Sequence, residues 1–192
     1  MKTKVFLSAL MIALLILSCN NGSNDNENKT IEESEIEIIG EDDMNQISLS
    51  DYGLNLTLML PEVASSTGNS IEPVITHEDG DYYWFLDIGN HFHLVIEDYG
   101  KETNKVVEKK KELDDLKNIF VIEYLIEEPN LIMYKRSLHE GQGGKPSYHC
   151  YGEMTIGGYT YVLHSNDEGG LKPVIEDMVT TIRSAKEIKS ES

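Results

Sequence analysis

The histidines are the residues in this chain best suited to chemistry. His91 and His93 flank Phe92 in a stretch that reads as a β-strand. Residues two apart on a strand project from one face, so both imidazoles could grip a single metal ion there. His149 and His164 fall on the polar face of a later hairpin, with Glu153 nearby. A His/Glu cluster would form if both hairpins contribute to one exposed surface. Histidines at strand spacing beside a tryptophan are ordinarily plain surface residues, and no metal is assigned.

Nucleophilic chemistry has less to work with. No G-x-S-x-G elbow occurs, and Cys150 lies between His149 and Tyr151. Strand parity turns its thiol inward with Met154, where a cysteine acts as a small hydrophobe. Gly141-Gln142-Gly143-Gly144 lacks the Lys-Ser/Thr of a phosphate loop. The acidic turns Glu78-Asp79-Gly80-Asp81 and Asn166-Asp167-Glu168-Gly169 lack the alternating ligands and distal glutamate of an EF-hand loop. No catalytic residue and no cofactor is expected. A non-enzymatic binding domain is the leading reading. A small metal-dependent or hydrolytic enzyme using surface histidines is the alternative.

Composition narrows the partners. The chain has 192 residues, with 16 Lys+Arg against 34 Asp+Glu, a formal net charge of −18. Such a surface repels nucleic acid, whose phosphates need clustered cations. Lys2 and Lys4 precede an apolar run from Val5 to Leu17, and Ser18 precedes Cys19. This is the pattern of an export signal. Ile16-Leu17-Ser18-Cys19 resembles the lipobox of bacterial lipoproteins, which implies cleavage before Cys19 and lipidation, palmitate included, of its thiol and new amino terminus. Residues 1–18 are thus expected to be a signal peptide and Cys19 the lipid attachment site. Cys150 would then be the only free thiol, and the domain must hold together by its core alone. The expected location is the bacterial cell envelope, lipid-anchored on its periplasmic or outer-membrane face. Membrane contact would come through the lipid alone.

After Cys19 the chain is polar, then acidic, and residues 19–46 read as a flexible tether. One folded domain is expected over 47–192. Leu54, Leu56, Leu58 and Leu60 alternate with other residues up to Pro61, a half-buried strand. A long loop follows, with a short strand at Val74–Thr76. Tyr82–Ile88 and His91–Glu97 read as a hairpin turning on Gly89-Asn90. That two-residue turn pairs Ile88 with His91 and directs Tyr83, Phe85, Phe92, Leu94 and Ile96 into the core. Residues 103–117 form a charged helix with a thin stripe of Val106, Leu113 and Leu116. Hairpins at Ile119–Arg136 and Tyr148–His164 turn on Pro129-Asn130 and Gly157-Gly158. Leu171, Val174, Ile175, Met178, Ile182 and Ala185 mark a C-terminal amphipathic helix. Consecutive hairpins with two packed helices make an α+β domain with a mainly antiparallel sheet.

Gly53-Leu54 through Leu60-Pro61 resembles the opening of the PsbP-like superfamily. Tyr159-Thr160-Tyr161, feeding a helix that ends in Ile182-Arg183-Ser184, is similar to its close. That superfamily includes the photosystem II extrinsic protein and bacterial lipoproteins of the DcrB type. The resemblance covers residues 47–186, departs in the loops at 62–81 and 137–147, and implies an accessory role without a shared catalytic set.

The expected contact surface is the outward face of the first hairpin: Trp84 and Leu86 with His91 and His93. Its occupant would be an envelope protein or a small-molecule ligand. Trp and Leu forgo about 1.5–3 kcal/mol each if left in water, so something should cover them.

Overall fold

A computed structural model describes residues 44–61 and 72–188. The expected signal peptide, Cys19 and nearly all of the expected tether lie outside the described residues, as does most of the loop expected after Pro61. The first strand, β1 (Met44–Ser48), begins inside the segment expected as tether and pairs antiparallel with β2 (Leu56–Pro61). All four alternating leucines up to Leu60 are buried, as their period requires.

Described next are β3 (Val74–Thr76), β4 (Tyr83–Ile88) and β5 (Phe92–Asp98). Helix α1 (Lys105–Asp115) leads to β6 (Phe120–Glu127) and β7 (Leu131–Leu138), then β8 (Ser147–Ile156) and β9 (Tyr159–Ser165). Helix α2 (Lys172–Ser184) and β10 (Lys186–Glu187) close the domain. Among the described residues β1, β2 and β10 form a three-stranded sheet. The other seven strands form a second sheet in the order β3-β4-β5-β9-β8-β7-β6, every neighbour antiparallel. The fold is α+β.

The larger sheet is covered on both faces by different partners. On the inner face β2 and α2 pack against Trp84, Leu86, Leu94, Met133, Cys150 and Leu163 in the main core. Helix α2 comes close because Gly152 has no side chain: a Cβ there would lie 2.6 Å from Ile182 Cγ2. On the outer face α1 sets Val106 and Leu113 against Ile132, Tyr134, Tyr151 and Val162, a second core. Topology dictates that position. The chain leaves β5 inside the sheet and must reach the far edge at β6, so α1 crosses over the strands between. Glu153 fixes where α1 starts, accepting hydrogen bonds from the backbone N–H groups of Asn104 (2.9 Å) and Val106 (3.2 Å).

The third hairpin has the expected register. Ile156 opposes Tyr159, and Gly157 and Gly158 both take positive φ, as a two-residue primed turn requires. The first hairpin does not. Ile88 opposes Phe92, so the loop holds Gly89, Asn90 and His91. One extra loop residue turns β4 over relative to β5. Trp84, Leu86 and Ile88 therefore face the core with Phe92, Leu94 and Ile96, while Tyr83, Phe85 and Asp87 face outward.

Candidate functional site

Trp84 and Leu86, expected on a contact surface, are instead 6 % and 0 % exposed. Trp84 Nε1 donates to the Tyr52 carbonyl at 2.9 Å, and its ring stacks on His77. The polypeptide itself covers this apolar patch, which removes both residues from any binding face. His91 sits exposed in the hairpin loop, and His93 projects from the outer face of β5. His93 Nδ1 is 2.7 Å from Asp87 Oδ1 and its Nε2 is 3.1 Å from the Asn90 carbonyl. Two acceptors suit a doubly protonated ring, and the bond to Asp87 raises the His93 pKa above the usual histidine value. The pair His91/His93 is thus split between a loop and an internal ion pair. Among the described residues no group of three or more His, Cys, Asp or Glu side chains converges as a metal site.

The outer face of the larger sheet holds a different arrangement. Between α1 and strands β5, β9, β8 and β7 lies a cavity of about 260 Å³. Its floor comes from cross-strand neighbours. Tyr134 opposes His149 and Tyr151 opposes His164, so same-face partners lie ring on ring. Tyr134 and His149 are 5.0 Å apart at 11°, and Tyr151 and His164 are 5.5 Å apart at 29°. Lys109, Glu112, Leu113 and Leu116 close it from the helix, and Asn166 and Asp167 from the loop after β9.

His149 is buried, and burial lowers its pKa to about 4 from the usual 6.5, aided by the charges of Arg136 and Lys109. It is neutral near pH 7, and its Nε2 shares a hydrogen bond with the Ser147 hydroxyl at 2.8 Å. Gly169 closes over the ring. Its φ is +73°, and a Cβ there would meet His149 Cε1 and the Tyr148 carbonyl, each at 2.5 Å. A Ser–His contact invites comparison with a nucleophile and its base, but an imidazole titrating near pH 4 is a poor proton acceptor at neutrality.

Glu97 stands at the other side of the cavity. Its carboxylate accepts from the Tyr99 hydroxyl at 3.0 Å and faces His164 Nε2 at 3.6 Å. The contact with His164 holds its pKa below the usual carboxylate value. Tyr99 and Tyr134 are both pushed up to about 12, chiefly by burial, so both phenols stay protonated donors. Cys150 also borders the cavity, but its thiol is pushed up to about 12 by burial and belongs to the core.

The sequence places His149, Tyr151, Val162 and His164 on one face, and the structure brings them together as expected. Glu153 lies on the same face, opposite Val162, but outside the cavity, and its carboxylate caps α1. Glu97, Tyr99, Lys109, Tyr134 and Arg136 complete the cavity without having been singled out from the sequence. One signal for them was present: the stripe Val106, Leu113, Leu116 needed an apolar face, and Ile132, Tyr134, Tyr151 and Val162 supply one.

Comparison with models of protein families and with curated protein sequences returns no match to this chain. Among the described residues no helix is long and apolar enough to cross a membrane.

Proposed function

We propose that the chain is a bacterial envelope lipoprotein, anchored through Cys19, whose domain binds a small polar molecule without transforming it. The observation that carries the binding reading is the outer-face cavity, floored by two Tyr–His stacks and walled by ionised and hydroxyl groups. Concave sites with a ring-lined floor and a few convergent polar groups are the usual form of a ligand pocket. The low basicity of His149 favours binding over hydrolysis, since its contact with the Ser147 hydroxyl lacks a base matched to neutral pH. The anchor reading rests on Leu17-Ser18-Cys19 and the apolar run before it, and the PsbP-like resemblance supports an accessory role in the envelope.

The test is a fragment titration of the full chain carrying ring-labelled histidine. Polar fragments that occupy the cavity should move the Cε1–H resonances of His149 and His164 and leave those of His91 in place. A broad fragment set that moves none of them, or moves His91 alone, would overturn the assignment of this cavity as the binding site.

A further inference from the structure

The register that carries Trp84 inward has the opposite effect on the outer face of the larger sheet. Tyr83, Phe85 and Asp87 alternate outward along β4, beside Val74 and Thr76 of β3 and Val95 of β5. Phe85 stands at the centre, opposite Thr76 on one side and Val95 on the other, and its ring meets the Tyr83 ring edge to face at 5.3 Å. Helix α1 sets its apolar stripe on Ile132, Tyr134, Tyr151 and Val162, which belong to β7, β8 and β9. The β3–β4 end of the face stays open: Val74 is 59 % and Phe85 41 % exposed.

Charge separates this end from the rest of the domain. From Met44 to Gly100 the chain contains no Lys or Arg, although Asp and Glu recur throughout. Asp81 and Glu78 lie beside Tyr83, whose pKa is raised chiefly by its hydrogen bond to Asp81, with the charge of Glu78 adding to it. Asp87 is answered by His93 at 2.7 Å and Glu97 by His164. Among the described residues no Lys, Arg or His pairs with Glu72, Glu78 or Asp81. An aromatic centre inside an unmatched acidic rim attracts cations twice, through the rim charges and through the ring faces.

We propose that this face, centred on Phe85, docks a partner protein that presents Lys or Arg side chains around an apolar contact. Exposed apolar side chains gathered within a polar rim are the usual mark of such a surface, and aromatic residues are enriched at its centre. The rim selects the sign of the partner. A second copy of this chain would bring the same acids to the contact and is repelled, as are nucleic acid and an anionic lipid surface. The proposal does not depend on what the cavity beneath α1 binds.

The experiment titrates the nitrogen-15-labelled full chain with a synthetic peptide alternating lysine with phenylalanine, and with its counterpart carrying glutamate in place of lysine. The lysine peptide should shift the backbone amides of Thr76, Tyr83 and Phe85, and the glutamate peptide should not. Its binding should weaken severalfold as ionic strength rises from about 0.01 to about 0.1 M, over which the screening length falls from about 30 to about 10 Å. Phe85→Ser should weaken it by about tenfold, the loss expected of a central aromatic contact. Glu78→Gln combined with Asp81→Asn should weaken it and flatten its salt dependence. Melting curves check each variant, and Val74→Ser replaces Phe85→Ser if the latter melts early. Equal binding of the two peptides, or no shift with either, would overturn the proposal. Equal binding to the parent and to a folded Phe85→Ser or Val74→Ser variant would also overturn it, as the mark of attraction to any acidic surface. A dimer of the parent that Phe85→Ser dissolves would assign the face to a second copy instead.

Discussion

The imidazole of His149 lies nearly flat on the ring of Tyr134, centroids 5.0 Å apart and planes 11° apart. Strand pairing sets this contact directly, because the two residues oppose each other across β7 and β8. Burial there keeps His149 neutral, and its Nε2 shares a hydrogen bond with the Ser147 hydroxyl.

That burial makes stability depend on pH. The folded pKa of His149 is lowered to about 4, so between there and about 6.5 the unfolded chain binds the extra proton. Its contribution is complete above pH 6.5 and is lost as pH falls toward 4, on the order of 3 kcal/mol in all. His93 acts in the opposite sense. Its folded pKa is raised by Asp87, so its contribution is full below pH 6.5 and is lost as pH rises through the folded value. Urea midpoints from pH 4 to 8 for the parent and His149→Gln check this: the variant should lose much of the acid-side slope. An unchanged slope would place His149 in solvent.

Helix α2 gives a contrast between adjacent residues. Thr181 is fully buried and its Oγ1 has no hydrogen-bond partner, so Thr181→Val should stabilise the domain by about 1 kcal/mol. Ile182→Ala should cost about 2–5 kcal/mol, since it empties part of the main core against Gly152. Denaturation midpoints that move the same way for both would contradict the docking of α2.

Cys150 is 2 % exposed, with its thiol pushed up to about 12. In full-length Cys19→Ala protein it should resist Ellman's reagent until denaturant is added. Rapid reaction in the native state would place it at an accessible surface.

Glu153 reaches from β8 to the start of α1 and accepts from two of its free N–H groups. Glu153→Ala should cost about 1–2 kcal/mol, the range of a lost helix cap. No change in melting would mean that α1 is positioned without it.

The anchor is tested separately. Cys19→Ala should abolish labelled-palmitate incorporation and release the protein from the membrane fraction. Label retained in the variant would contradict lipidation at that residue.

Legibility in the sequence followed how local each signal was. Gly157-Gly158 fixed a two-residue turn, so the faces of β8 and β9 could be read residue by residue, Cys150 included. Gly89-Asn90 looked equivalent but its loop takes in His91, and nothing local distinguishes two residues from three. That single residue moved Trp84 and Leu86 from an imagined surface into the core. The cavity was hardest to see, because α1 and four strands distant in sequence build it. Glu97, Tyr99 and Arg136 become neighbours of His149 and His164 only once β5 pairs with β9 and α1 crosses over them.

The central claim is that the cavity beneath α1 carries the ligand. Leu116 lines it and is only half buried, so Leu116→Trp should fill the space while the fold survives. The measurement is mass spectrometry of small molecules released by denaturing the full chain, purified from the cells that produce it, for the parent and for Leu116→Trp. A small polar species should accompany the parent protein and be depleted from a Leu116→Trp sample that melts as the parent does. The same species in equal amount from both proteins would contradict it.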